Sequence, residues 1–232
     1  GGHFPAEMSA TNHTLDRWQP FEMNPLTKKY SDTELQSSPL IRVRFATAGI
    51  DNPDGEYLNE EGACPICKSN RLLVHPLIIP TNRIGKKKID FNFRYGFLVL
   101  DKRLIEELKA AGLTGLESHS ISLGKNHIDF KSLSVKNTLP KMSDQSSVHK
   151  YQICPNCGRS GHYDNYEIET RFKYNYLNIK DLKADFYKTW EYFGIWDMGQ
   201  NFQEIIISQK AYKILKQQKL RHLKFEPIEI IK

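Results

Sequence analysis

The sequence predicts an α+β protein: two related strand-helix-strand halves joined by a split four-cysteine ribbon. Two observations predict it. A shift of 107 residues lays FLVLDKRLIEELKAAGLTGLESHSISL (97–123) over EIIISQKAYKILKQQKLRHLKFEPIEI (204–230) with the apolar columns in step: Leu98/Ile205, Val99/Ile206, Leu100/Ile207, Leu104/Ala211, Leu108/Leu215, Leu113/Leu220, Leu116/Leu223 and Ile121/Ile228. The 4 cysteines form two Cys-x-x-Cys pairs, Cys64/Cys67 and Cys154/Cys157, one ahead of each copy.

Taken in order, Gly1 to Glu7 reads as a tag remnant ahead of Met8. The segment up to residue 39, with much Ser, Thr, Asn and Pro, reads as a loosely ordered arm carrying Trp18 and Phe21. Residues 40–232 are expected to form a single domain with halves at about 40–135 and 150–232. Leu40 to Ala46 alternates apolar and basic residues, a strand pattern, and Asp51-Asn-Pro-Asp-Gly55 turns the chain toward the first cysteine pair. Arg71-Leu-Leu-Val-His-Pro76 looks like a further strand, and Arg83 with Lys86, Lys87 and Lys88 makes a basic turn.

In the first copy a short buried strand precedes a helix. Asp101 can cap that helix, Leu104, Ile105, Leu108 and Ala111 recur on one face, and Gly112 can end it. Lys136 to Lys150 reads as an exposed connector. The aromatic run from Phe186 to Trp196, around Gly194, serves either as core beneath the ribbon or as an anchor-rich contact surface. The second copy repeats the helix, with Ser208 at the capping position and Lys219 where the first has Gly112.

Composition narrows the function classes. Apolar residues make up 39% and charged residues 26%, which excludes wholesale disorder, and apolar runs such as Phe97 to Leu100 are far shorter than a membrane span. The formal charge of +6 favours an acidic partner. Paired rather than scattered cysteines, with no secretion signal, point to a cytoplasmic protein. The chain has no His-Glu-x-x-His, no Gly-x-Ser-x-Gly, no phosphate loop and no dinucleotide fingerprint, so a non-enzymatic protein is expected. Acidic pairs such as Glu106/Glu107 and Asp181/Asp185 read as solvated faces.

The cysteines carry the chemistry. Two thiolates in a tight knuckle reach one metal, and one pair cannot close a tetrahedron, so CPIC and CPNC predict one structural zinc ion held by Cys64, Cys67, Cys154 and Cys157. Four thiolates around a dication leave excess negative charge, and Lys68, Arg71 and Arg159 stand near enough in sequence to offset it. Gly158 follows the second pair where a permissive backbone is wanted, whereas Lys68 follows the first. A redox pair at CPIC is the alternative, without the strand-CxxC-helix setting it needs. CPNCGRSGHYDNYE also approaches the nucleic-acid zinc knuckle, with His162 in place and Glu167 where a last cysteine belongs.

Cys64-Pro-Ile-Cys67, Cys154-Pro-Asn-Cys157-Gly158-Arg159, the aromatic segment before Gly194 to Asp197 and the closing IIISQKAYKILKQQKLRHLKFEPIEI together resemble the bacterial double-CxxCG motif proteins. These are related to immunity proteins of contact-dependent and polymorphic toxin systems. The resemblance covers about residues 55–232, and Lys68 departs from the first CxxCG. It implies an immunity protein that binds and neutralises a cognate protein toxin, with zinc holding its scaffold. Candidate contact residues are Trp190, Tyr192, Phe193 and Trp196, or Arg83, Lys86, Lys87 and Lys88. Nuclease inhibitors commonly present acidic surfaces, so the +6 charge points to a non-nuclease toxin or an off-site contact. A nucleic-acid-binding zinc ribbon is the competing expectation.

Overall fold

The computed structural model describes residues 28–45, 58–73, 77–79, 91–93, 97–123, 126–163, 171–194, 201–218, 220 and 223–232. Its elements run α1 (Asp32–Ser37), β1 (Leu40–Phe45), β2 (Leu58–Asn59), β3 (Leu72–Leu73), β4 (Leu77–Ile79), β5 (Phe91–Phe93), β6 (Phe97–Asp101), α2 (Lys102–Ala110), β7 (Leu116–Leu123), β8 (Asn126–Val135) and β9 (Asn137–Thr138). There follow β10 (His149–Lys150), β11 (Ser160–Tyr163), β12 (Lys173–Asn175), α3 (Tyr176–Ile179), β13 (Phe186–Lys188), β14 (Tyr192–Phe193), β15 (Ile205–Ser208), α4 (Gln209–Gln217), β16 (Leu223–Pro227) and β17 (Glu229–Ile231). The fold is mixed α+β, with more strands than helices.

Two five-stranded sheets dominate, in the orders β4-β7-β8-β6-β5 and β16-β1-β15-β13-β9. In the first, β6 and β7 both run antiparallel to β8, which lies between them, and α2 connects β6 to β7. In the second, β15 and β16 both run antiparallel to β1, which lies between them, and α4 connects β15 to β16. At the 107-residue offset the helices begin at corresponding residues, Lys102 and Gln209, as do the strands after them, Leu116 and Leu223.

Local chemistry explains the helix ends. The Ser208 hydroxyl accepts from the Ala211 amide at 3.2 Å, satisfying one of the orphan donors of α4. Gly112, at φ 64, takes the left-handed conformation that ends α2. The second helix ends differently, with Gln218 right-handed at its C-cap.

One apolar core joins both sheets and both helices. Leu104, Ile105 and Leu108 of α2 and Ala211, Tyr212 and Leu215 of α4 pack with Ile41, Val43, Leu100, Leu133, Ile205 and Ile207. Complete burial of each such leucine or isoleucine contributes about 1.5–3 kcal/mol. The opposite face of the second sheet builds another core from Leu40, Ile206, Phe172, Tyr174, Tyr187 and Phe193. Successive residues of β1 and β15 thus serve alternate cores, as the two-residue period of a strand requires.

Three expectations change. The strand expected over Leu40 to Ala46 forms as β1, but it completes the sheet of the later half, so the division at residues 136–150 does not separate the two sheets. Residues 28–39 are ordered rather than loose. A Ser31/Glu34 capping box starts α1, Leu35 is buried, and Gln209 Nε2 donates to the Leu35 and Ser38 carbonyls. The connector is anchored too: Leu139 and Met142 are buried, and the Ser146 hydroxyl and the Ser143 amide donate to the Lys173 carbonyl. No helix among the described residues is long and apolar enough to cross a membrane.

Candidate metal centre

Both cysteine pairs sit in loops of one design. The Lys68 amide donates to the Cys64 carbonyl and the Gly158 amide to the Cys154 carbonyl, each at 2.9 Å. Closing each loop this way demands a left-handed residue just after the second cysteine, and Lys68 (φ 58) and Gly158 (φ 67) both comply. The first knuckle therefore forms despite its lysine, at the steric cost of a Cβ in that region.

The two knuckles meet. Cys64 Sγ lies 3.8 Å from Cys154 Sγ, Cys67 Sγ lies 3.4 Å from Cys157 Sγ, and all four sulfurs are within 4.8 Å of one another. A tetrahedral tetrathiolate with metal–sulfur bonds of about 2.3 Å has sulfur–sulfur edges of about 3.8 Å, so this donor set could hold a metal ion. Cys64, Cys67 and Cys154 are buried and Cys157 is partly exposed.

Neutral side chains surround the sulfurs. Ser160 Oγ donates to Cys67 Sγ at 3.2 Å, Asn156 Nδ2 donates to Cys64 Sγ at 3.3 Å, and Ser69 Oγ lies 3.3 Å from Cys67 Sγ and 3.5 Å from Cys157 Sγ. Of the cations expected there, Lys68 instead pairs with Glu60 at 2.7 Å, and Arg71 acts on the same carboxylate. Arg159 donates from Nε to the Trp190 carbonyl at 2.8 Å and from Nη1 to Asn70 Oδ1 at 2.6 Å. Short side chains fit inside the knuckles; long ones extend past them.

Burial pushes the Cys67 thiol up to about 11, against the pull of the Ser160 and Ser69 hydroxyls. At Cys64 burial also acts upward, but the backbone amides of Cys67 and Ile66 and the Asn156 amide outweigh it and hold the thiol at about 6. A metal entering at neutral pH must therefore displace a proton from Cys67, while Cys64 is already a thiolate.

His162 lies outside the sulfur cluster. It is buried, its Nδ1 donates to the Arg159 carbonyl at 2.9 Å, its ring centroid is 6.1 Å from that of Phe193, and burial holds its pKa below the usual imidazole range. His162 is thus an interior residue of β11, and Glu167 falls outside the described residues.

The candidate contact residues divide. Tyr192 and Phe193 are buried, which serves the packing role rather than the contact surface: Phe193 stacks on Phe172 at 5.3 Å, and Tyr192 Oη accepts from the Asn70 amide at 2.9 Å. Trp190 is half-buried, with the Arg159 guanidinium 5.2 Å from its ring. Trp196, Arg83, Lys86, Lys87 and Lys88 lie outside the described residues.

Several residues at the centre were not anticipated from the sequence. Ser69 and Ser160 follow the two pairs at similar spacing, a signal the sequence does carry. Asn201 has no such local signal: its Nδ2 donates to the Cys67 carbonyl at 2.6 Å and to Ser160 Oγ at 3.3 Å. No protein-family model and no curated protein matches this chain.

Proposed function

We propose that this protein is a non-enzymatic immunity protein that binds and neutralises a cognate bacterial toxin, its fold held by one structural zinc ion at Cys64, Cys67, Cys154 and Cys157. The observation that carries this reading is the convergence of both Cys-x-x-Cys pairs on one point, the arrangement implied by the resemblance to the double-CxxCG motif proteins. Four protein sulfurs fill a tetrahedral shell and leave no position for substrate or water, which suits zinc in a structural role. When bound, zinc supplies cross-linking alone; the chain's own residues shape the surface that meets the toxin. The matching strand-helix-strand bounds at the 107-residue offset support descent of the two units from one duplicated ancestor.

The described surface offers apolar anchors beside the centre. Ile66, Leu72, Tyr151 and Ile153 are exposed and within five residues of a cysteine ligand, which makes them the candidate contact residues of this reading. The +6 charge adds preference for an acidic toxin surface. It also motivates a second reading, a nucleic-acid-binding zinc ribbon.

Co-expression with the toxin encoded beside the chain's own gene tests the first reading. Protection of the host is expected, and is expected to fall when Ile66 and Ile153 are both replaced by serine. Failure of the unaltered protein to protect, together with nucleic-acid binding that weakens steeply with salt, would transfer support to the second.

A further inference from the structure

The two knuckles are joined by more than their sulfurs. Asn70, left-handed at φ 69, ends the first knuckle, and its Oδ1 accepts from Arg159 Nη1 of the second at 2.6 Å. Tyr192 clasps both. Its Oη accepts from the Asn70 amide at 2.9 Å and donates to Asn70 Oδ1 at 3.2 Å, while its own amide donates to the Arg159 carbonyl at 2.8 Å. The Arg159 guanidinium lies 5.0 Å from the Tyr192 ring and 5.2 Å from the Trp190 ring. On the other side Asn201 spans the knuckles, donating to the Cys67 carbonyl and to Ser160 Oγ.

We infer that Asn70, Arg159 and Tyr192 form a polar lock that sets the register of the two knuckles without a metal, so that the protein offers an ion a site already assembled. This rests on the reading of the four sulfurs as a metal site, but the lock itself is built of nitrogen and oxygen contacts and is separable from it. In small zinc modules the ion is what gathers the ligands, and folding energy and metal affinity are one quantity. Here the ligands are gathered by a charge-assisted hydrogen bond and a buried tyrosine, and the lock residues act as positioning residues, much as hydrogen-bonded partners orient ligands elsewhere.

The test uses the full chain stripped of metal by chelation under reducing conditions. The variants are Tyr192→Phe, which deletes one oxygen and keeps the buried ring; Asn70→Gly, which keeps the left-handed backbone and deletes the acceptor; and Asn70→Asp, which keeps both. Cobalt(II) is the probe, followed by its sulfur-to-cobalt absorption. Tyr192→Phe and Asn70→Gly are expected to bind cobalt about 10–100-fold more weakly with an unchanged tetrahedral spectrum, and Asn70→Asp to bind within about threefold of the unaltered protein.

A second arm needs no metal. Diamide takes up the two thiol hydrogens of a cysteine pair and leaves a disulfide, and peptide mapping shows which sulfurs joined. The metal-free protein is expected to form the cross-knuckle link Cys67–Cys157, whose sulfurs lie 3.4 Å apart, and Asn70→Gly to shift toward Cys64–Cys67 and Cys154–Cys157. Links within knuckles alone in the unaltered protein, or variants that match it in both affinity and pairing, overturn the lock. Cross-knuckle pairing without any cobalt binding would instead overturn the metal reading and leave the lock standing.

Discussion

The guanidinium carbon of Arg42 lies 4.2 Å from the centre of the Phe172 ring, and both residues are buried on one side of the second sheet. Arg42 is one of the basic residues of the β1 alternation, yet it is buried on the Leu40 face, where Nη2 and Nη1 donate to Glu204 at 2.6 Å and Glu226 at 3.1 Å. Removing the cation strands carboxylates in a poorly solvated place. Arg42→Ala is expected to lower the unfolding free energy by about 3–5 kcal/mol, measured by urea denaturation. A loss below about 1 kcal/mol would mean the ion pairs are worth no more than exposed ones.

The knuckles predict one stabilising and two destabilising substitutions. Lys68→Gly removes a Cβ from a left-handed residue and is expected to gain up to about 1 kcal/mol, after loss of the exposed Glu60 pair and a looser unfolded chain. Gly158→Ala meets open space and bears only the backbone cost, about 1–2 kcal/mol. Gly161→Ala is worse, because the new Cβ would stand 2.5 Å from the Tyr151 carbonyl and 2.7 Å from that of Gln152, both backbone; about 3 kcal/mol or more is expected. Thermal unfolding of the three proteins should rank them in that order.

Glu191 predicts a pH dependence. Burial raises its pKa above the ordinary 4.5, against a hydrogen bond from the Met142 amide to Oε1, and its Oε2 has no hydrogen-bond partner among the described residues. The folded state thus holds this proton more tightly than the unfolded chain does. Its contribution to stability is complete below pH 4.5 and is lost as pH rises through the elevated native value. Glu191→Gln should therefore gain on the unaltered protein as pH increases, in urea titrations run from acid to mildly alkaline buffer. A constant difference across that range would refute the assignment.

Metal affinity is expected to fall with acid, because the thiols must shed their protons to bind. Below a thiol pKa of about 11, binding displaces one proton from Cys67, so affinity drops by about tenfold per pH unit for that proton alone. Below about pH 6 Cys64 also holds its proton, and the slope should steepen by one more. Competition with a chromogenic chelator between pH 5 and 8, about the accessible range, reads the slope, and Cys154→Ser should abolish stoichiometric binding.

What the sequence discloses here depends on range. The cysteine pairs, the Ser208 cap and the helix face of Leu104, Ile105 and Leu108 are local patterns, and all appear as drawn. The Ser31/Glu34 capping box was equally local and marks a helix inside a stretch whose polar composition suggests an arm. The insertion of β1 between β15 and β16 is not local, since nothing in Leu40 to Phe45 names its partners. The aromatic run divides for the same reason: composition attracts attention to Tyr192 and Phe193, but only the packing of Phe172 and the reach of Asn70 decide that they face inward. The neutral shell of Ser69, Asn156 and Ser160 replaces the expected cations because knuckle geometry, not charge balance, selects what reaches a sulfur.

The placement of β1 also bears on biosynthesis. Its partners on both sides, and the Ile228 carbonyl that accepts from the Ser38 hydroxyl across 190 residues, are synthesised long after β1 itself. Until then Ile41 and Val43 wait without a sheet, and closing so long a loop is slow. The nascent chain therefore carries an apolar strand uncovered while the intervening residues are made, a stretch in which unpaired strand edges invite mispairing.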